Sequence, residues 1–96
     1  SVQRDDPFAQ YMAGATAERN GDLATAIHYY RRAVQLYDSA HQFHFGLARA
    51  YFLSGQMERA DRELLRARAL GGSSNELRYQ AKLDGLARLR TQQAGR

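Results

Sequence analysis

The sequence contains no cysteine, which excludes a disulfide framework, a cysteine nucleophile and a zinc site built on thiolates. It also lacks any apolar run near the ~20 residues that span a bilayer, and it has no signal-peptide core. The 96 residues are too few for a large enzyme with a deep cleft, and they amount to one small domain. Hydrophobic residues make up 44% of the chain and charged residues 25%, which is typical of a folded globular domain rather than a disordered one.

Lysine is almost missing as well, because Lys82 is the single lysine and arginine supplies the remaining positive charge. The net charge of +4 is compatible with an acidic partner. The arginines are interspersed with ten acidic residues, however, so nucleic-acid binding is not the expected role. The chain begins at Ser1 rather than at a methionine, and we expect it to be a processed product or a piece of a longer protein.

The sequence repeats itself at an offset of 34 residues. Identical residues fall in register, and further positions pair a small residue with a small one or an aromatic with an apolar one. The identical pairs include Gly21/Gly55, Ala26/Ala60, Arg32/Arg66, Ala33/Ala67 and Leu36/Leu70. Apolar residues within each repeat recur at helical spacing, so the repeating unit is predicted to be a pair of antiparallel helices.

Local signals predict where these helices begin and end. Asp6 and Pro7 favour a helix start, and Asn20-Gly21 favours the end of that helix. Asp22 is expected to cap the second helix. The second repeat is predicted to follow the same plan, with a third helix over about 41–54, a turn at Gly55 and a fourth helix that ends at Gly71-Gly72.

The last segment departs from the repeat and is predicted to be a single terminal helix over 75–90. Ser73-x-x-Glu76 is typical of a capping box at its start. Lys82 stands where the repeat places Gly14 and Ala48, so a third helix pair is not expected. A helical stack needs such a capping helix to cover its last apolar face, and the polar residues 91–96 are expected to fray.

These features resemble the tetratricopeptide repeat family, whose unit carries small residues at the helix crossings and a glycine at the turn. The matching positions are Gly14, Gly21, Ala26, Tyr30, Ala33, Ala48, Tyr51, Gly55, Ala60 and Ala67. The resemblance implies an all-α fold of five helices, in which antiparallel pairs form a right-handed superhelix. It also implies a single domain over 1–96, with repeats at 7–40 and 41–74, a capping helix at 75–90 and a tail at 91–96.

Residues for catalysis or metal binding are not evident. His41 and His44 could share a helix face, but no acidic residue or cysteine completes a ligand set at metal spacing. Gly71-Gly72 follows a helix and lacks the lysine of a phosphate-binding loop. We therefore expect no enzyme activity, no metal, no cofactor and no small-molecule substrate.

The family resemblance implies a concave face formed by the first helix of each pair and by the capping helix. The candidate partner-binding residues on this face are Phe8, Tyr11, Met12, Arg19, Gln42, Phe45, Arg49, Phe52 and Tyr79. Tyr11, Phe45 and Tyr79 are spaced by one repeat each and are predicted to form an aromatic ladder, with Gly46 leaving room for a bound segment. The alternative is that these aromatics only pack neighbouring helices together.

The resulting hypothesis is a protein–protein interaction module, an adaptor or scaffold, that binds a partner protein or peptide. The resemblance places similar modules in bacterial envelope biogenesis, secretion and pilus assembly, hence as a soluble domain of the cytoplasm or periplasm without membrane insertion. The alternative is homodimerisation through a terminal helix. That contact would use Leu83, Leu86 and Leu89 on the last helix, or Phe8, Tyr11 and Met12 on the first.

Overall fold

A computed structural model describes residues 2–95, and within that range the chain is helical apart from the N-terminal segment 2–6 and the turns. The five helices are α1 (Pro7–Arg19), α2 (Leu23–Leu36), α3 (His41–Leu53), α4 (Met57–Leu70) and α5 (Ser73–Ala94). The prediction of an all-α chain with five helices is confirmed.

Side-chain caps and turn glycines set the helix boundaries of the first repeat. The Asp6 carboxylate accepts hydrogen bonds from the backbone N–H groups of Phe8 and Ala9, at 2.9 and 3.2 Å. Asp22 caps α2 in the same way, through the N–H of Thr25 at 3.1 Å. The turns after α1 and α3 place Gly21 and Gly55 at φ values of 76° and 82°, a conformation that favours glycine.

Each helix packs mainly on its neighbours in the chain. α1 pairs with α2 and α3 pairs with α4, while α2 against α3 and α4 against α5 join the layers. One continuous core runs through these layers. Its small members let the helix backbones approach closely, and they are Ala17, Ala26, Ala48, Ala50, Ala60 and Ala67.

Tyr30 of α2 lies at the centre of the first layer and is fully buried. A Cβ atom added to Gly14 of α1 would lie 2.7 Å from the Tyr30 ring. A Cβ atom on Gly46 of α3 would lie 3.0 Å from the same ring and 3.1 Å from Tyr11. Gly46 therefore makes space for two tyrosines of the core, and the expectation that it leaves room for a ligand is wrong.

The terminal helix begins earlier and ends later than predicted. α5 runs from Ser73 to Ala94 rather than over 75–90, and its backbone hydrogen bonds continue to the N–H of Gly95. The interval 91–94 contains no glycine or proline to stop it, so the predicted frayed tail is wrong there; Arg96 lies outside the described residues. The predicted capping box does not form, because Gly72 is the N-cap, with a φ of 73°, and no side chain caps the helix.

A buried histidine joins α3 to α4 and to the preceding turn. His44 Nδ1 lies 2.8 Å from Glu63 Oε1, and His44 Nε2 lies 2.7 Å from the carbonyl oxygen of Asp38. Both neighbours are acceptors, so the doubly protonated ring satisfies both contacts. Burial by itself lowers the pKa of His44, but these two acceptors more than offset burial and leave the pKa raised.

We predict that Gly14→Ala destabilises the domain by about 1–3 kcal/mol, because the added methyl meets the immobile ring of Tyr30. Gly85→Ala is the matched control, since a Cβ atom there would meet only the end of Arg88, at 3.8 Å. That substitution is expected to stabilise the chain by about 0.5–1 kcal/mol. Chemical denaturation followed by circular dichroism measures both, and equal stability changes for the two variants would contradict the close crossing.

The raised pKa of His44 predicts a dependence of stability on pH. The unfolded chain loses this proton near pH 6.5 and the folded chain at a higher pH, so the stabilisation is complete below about 6.5. The free energy of unfolding should fall as the pH rises from about 6.5 through the folded-state pKa. His44→Gln should flatten this dependence. A wild-type chain whose stability does not fall on raising the pH would refute the assignment.

Candidate functional site

A groove opens between α3 and α5, with a volume of about 310 Å³. Its walls come from those two helices, and α4 contributes Leu64 to the floor. The lining residues are Phe45, Ala48, Arg49, Phe52, Leu64, Lys82, Gly85, Leu86 and Leu89. A pocket of this size suits a few side chains of a bound segment.

The part of the groove between Phe52 and Leu89 is apolar. Leu64 and Leu86 are buried and form its floor, while Phe52 and Leu89 are each 38% exposed. Phe45 is half-buried and packs against Tyr79, with ring centroids 5.5 Å apart. Because the exposed carbon surface is concave and continuous with the core, a complementary apolar side chain would be largely desolvated there.

Beside this apolar part of the groove, three cations lie around the ring of Phe45. The guanidinium of Arg49 lies 5.3 Å from the ring centroid, the ammonium of Lys82 5.2 Å and the guanidinium of Arg78 5.8 Å. These distances are within the range of cation–π attraction. The apolar groove therefore has a positively charged end.

Arg49 is engaged in a network that reaches the first repeat. Its Nε and Nη2 atoms donate to the two carboxylate oxygens of Glu18, at 2.6 and 3.0 Å. The Tyr30 hydroxyl donates to the same carboxylate at 2.8 Å. Burial by itself raises the pKa of Glu18, but the hydrogen bonds from Arg49 and Tyr30 outweigh burial and leave that pKa lowered. Glu18 is therefore ionised near neutral pH and balances the charge of Arg49.

Lys82 and Arg78 have no comparable carboxylate. The three ion pairs among residues 2–95 involve other side chains, so neither cation is neutralised by the part of the chain that the structure describes. Arg78 donates to Asn75 Oδ1 at 3.1 Å and to the Tyr79 hydroxyl at 3.2 Å, which are neutral acceptors. Positive charge therefore remains on the α5 side of the groove.

The structure brings three of the predicted binding residues into this groove, namely Phe45, Arg49 and Phe52. The predicted aromatic ladder does not form one open face, although Phe45 and Tyr79 contact each other. Tyr79 is fully buried, with its hydroxyl 2.6 Å from His41 Nδ1, so it is not available on a concave surface. Tyr11 is half-buried and packs between Tyr30 and Phe43, at centroid distances of 5.5 and 5.1 Å.

The remaining predicted residues lie outside the groove. Phe8 and Met12 of α1 are well exposed, and Phe8 touches the buried ring of Phe43. Arg19 and Gln42 are exposed, and neither lines the groove. Sequence reasoning missed Lys82, Gly85, Leu86 and Leu89 of α5 as lining residues; their spacing on one face of that helix was the available signal.

The described residues also bear on metal binding and membrane crossing. Over residues 2–95, no group of three or more histidine, aspartate or glutamate side chains is arranged to hold a metal ion. Within the same range, none of the helices has the length and apolar character required to cross a membrane.

Comparison with known proteins gives one family and several related folds. The family model described as tetratricopeptide repeat matches residues 17–83. The type III secretion translocator chaperone SycD of Yersinia enterocolitica superposes with a TM-score of 0.84 at 20% identity, over 91% of this chain and 63% of that one. This chain thus spans less than two thirds of that chaperone.

Two complexes have the same fold. SycD of Yersinia enterocolitica with a peptide of the translocator YopD gives a TM-score of 0.81 at 20% identity, over 90% of this chain and 70% of that chain. PcrH with the chaperone binding region of PopD gives a TM-score of 0.83 at 19% identity, over 92% of this chain and 70% of that chain. A search of curated proteins gave no match to this sequence.

We predict that Arg49→Ala lowers the free energy of unfolding by about 1 kcal/mol, because it leaves the Glu18 carboxylate without its strongest partner. The value allows for the partial exposure of Arg49, which weakens the ion pair. Arg62→Ala on α4 is the matched control, as Arg62 is exposed and forms no ion pair with any residue in 2–95. Its effect should stay within about 0.5 kcal/mol, and a similar loss in both variants would count against the network.

Proposed function

This chain belongs to the tetratricopeptide repeat family, and from that premise we propose that it is a protein–protein interaction module that binds a partner segment in the groove between α3 and α5. The observation that carries the proposal is the concave apolar surface of Phe52 and Leu89 above Leu64 and Leu86. Leaving that surface in water is unfavourable, and a partner side chain that covers it gains about 25 cal/mol for each Å² of apolar area removed from solvent.

The related structures support a polypeptide as the ligand. SycD is bound to a peptide of YopD and PcrH to the chaperone binding region of PopD. At 20% and 19% identity these likenesses establish the shared fold, and the extension to this chain is our proposal. It includes a role in secretion or envelope assembly of a bacterium, in the cytoplasm or periplasm, and excludes catalysis as the primary activity.

The shape of the chain fits this role. We take residues 1–96 as one domain, in which the repeat 41–74 and the capping helix form the groove. The repeat 7–40 supports the groove wall through the contact of Glu18 with Arg49. α3 belongs to the second repeat and α5 to the cap, so the binding surface exists only where the two meet. Stacked repeats commonly form extended concave surfaces in this way.

Self-association is the second candidate, and the exposed residues at the α1 end favour it. Phe8, Met12 and Tyr37 are all more than half exposed, and Phe8 and Tyr37 both touch Phe43. A contact through α5 is less well supported than the sequence indicated, because Leu83 and Leu86 are buried in the core. Light scattering coupled to size exclusion, over a tenfold concentration range, tests this candidate; a monomer throughout would eliminate it.

The proposed function predicts that Phe52→Ser and Leu89→Ser weaken peptide binding by about tenfold or more, since each removes an exposed apolar wall. The ligands are peptides selected from a displayed random library against the immobilised chain, and their affinities are measured by fluorescence anisotropy. Leu77→Ser is the matched control: Leu77 is 86% exposed on the same helix but outside the groove.

Thermal melts must show that all three variants remain folded. If selected peptides bind the Phe52 and Leu89 variants as tightly as the wild type, the groove is not the binding site. Loss of binding in the Leu77 variant alone would assign the site to the opposite part of α5.

A further inference from the structure

We propose that the segment bound in the groove carries an aspartate or glutamate side chain beside its apolar anchors, and that Lys82, assisted by Arg78, binds this carboxylate. The inference rests on the proposed function and names the chemistry of the partner. It follows from the distribution of charge around Phe45, where three cations have one carboxylate partner among residues 2–95.

Lys82 is placed to meet a ligand. It lines the groove, on the same helix as Leu86 and Leu89, and its ammonium lies over the Phe45 ring at 5.2 Å. Arg78 precedes Lys82 by one helical turn and lies near the same ring. A segment whose apolar side chain contacts Phe52 and Leu89 would therefore have its neighbouring residue within reach of Lys82.

Arg49 is not the receptor for this carboxylate, although it is one of the candidate partner-binding residues predicted from the sequence. Two of its guanidinium nitrogens already bind Glu18, so the charge of Arg49 is balanced within the chain. A second carboxylate at Arg49 would lie near Glu18 and be repelled by it. The available positive charge is thus on α5 rather than on α3.

The contact with Phe45 leaves Lys82 able to bind an anion. A cation–π contact occupies one side of the ammonium, which has three N–H donors in all. Lys82 and Arg78 also repel each other across one ring, and an incoming carboxylate relieves that repulsion. Covering the groove with a ligand excludes water, which strengthens the charge pair in the bound state.

The bound anion is a side chain within a polypeptide rather than a phosphate of a nucleic acid. The cations border an apolar groove whose walls include Phe52 and Leu89. A nucleobase would need a free aromatic face on which to stack, and the ring of Phe45 already contacts Tyr79 and three cations. A peptide with an apolar residue next to an acidic one matches both the apolar groove and the cations beside it. Binding of single-stranded DNA that depends on Lys82 is the result that would favour the other class.

The experiment selects peptides of about twelve residues from a displayed random library, against the intact chain, and compares their sequences. A selected peptide is then synthesised with an amidated C-terminus in two versions, one with the acidic residue and one with the corresponding amide. Amidation removes the terminal carboxylate, so a difference between the two versions reports the side chain. Fluorescence anisotropy measures both against wild type, Lys82→Gln, Lys82→Arg and Arg88→Gln.

We expect the selected peptides to be enriched in aspartate or glutamate next to apolar residues. Lys82→Gln should weaken the affinity for the acidic peptide by about five- to tenfold and change the affinity for the amide version by no more than about twofold. Lys82→Arg should retain the preference for the acid, because it keeps the charge. Arg88→Gln is the matched control; Arg88 is exposed on α5 outside the groove, and its loss should change neither affinity beyond the general effect of net charge.

The outcomes separate the two proposals. Peptides that require Phe52 and Leu89 but show no acidic preference, or an equal response to Lys82→Gln with both versions, would overturn the carboxylate proposal and leave the groove as the binding site. Peptides that ignore Phe52 and Leu89, or no selected peptides at all, would count against both. Tight binding of an oligonucleotide in place of peptides would also overturn this inference.

Discussion

The buried ring of Tyr30 is the contact on which the arrangement of the first three helices depends. It extends from α2 into a space that Gly14 of α1 and Gly46 of α3 leave open. Its hydroxyl binds Glu18, and Glu18 in turn binds Arg49. One side chain thus fixes the crossing of three helices and, through the carboxylate, the orientation of an arginine in the groove wall.

The ion pairs within the chain explain why the cations near the groove differ in their availability to a ligand. Three of the ten acidic residues form ion pairs among residues 2–95: Glu18 with Arg49, Glu63 with His44 and Asp61 with Arg90. These pairs hold neighbouring helices together. The α5 cations near Phe45 remain without an acid among residues 2–95, so a net positive potential is left where the apolar surface opens.

Much of the fold could be predicted because its signals are local. The repeat offset, the caps at Asp6 and Asp22 and the turn glycine at Gly21 depend only on residues near one another in sequence. The capping box at Ser73 failed because the left-handed Gly72 already provides the helix start. Local patterns therefore predict the approximate start of a helix more reliably than they predict which of two adjacent residues is its N-cap.

The candidate site was harder to predict because burial depends on which helix comes next. Tyr11, Phe45 and Tyr79 are equivalent by repeat register, yet Tyr79 is fully buried while Phe45 still borders the groove. Lys82 marked the end of the repeat pattern in the sequence, but its approach to Phe45 is set by how α5 crosses α3. Such a crossing follows from tertiary packing rather than from spacing.

The packing of α5 gives the groove a property that a fully enclosed pocket lacks. Among residues 2–95, α5 packs on α4 and meets α3 through side chains such as Tyr79. In a linear array, a helix that packs on one neighbouring helix can open locally while the rest stays folded. A segment seated between α3 and α5 would hold that element closed, so occupancy of the groove and protection of the α5 amides from solvent exchange are thermodynamically coupled.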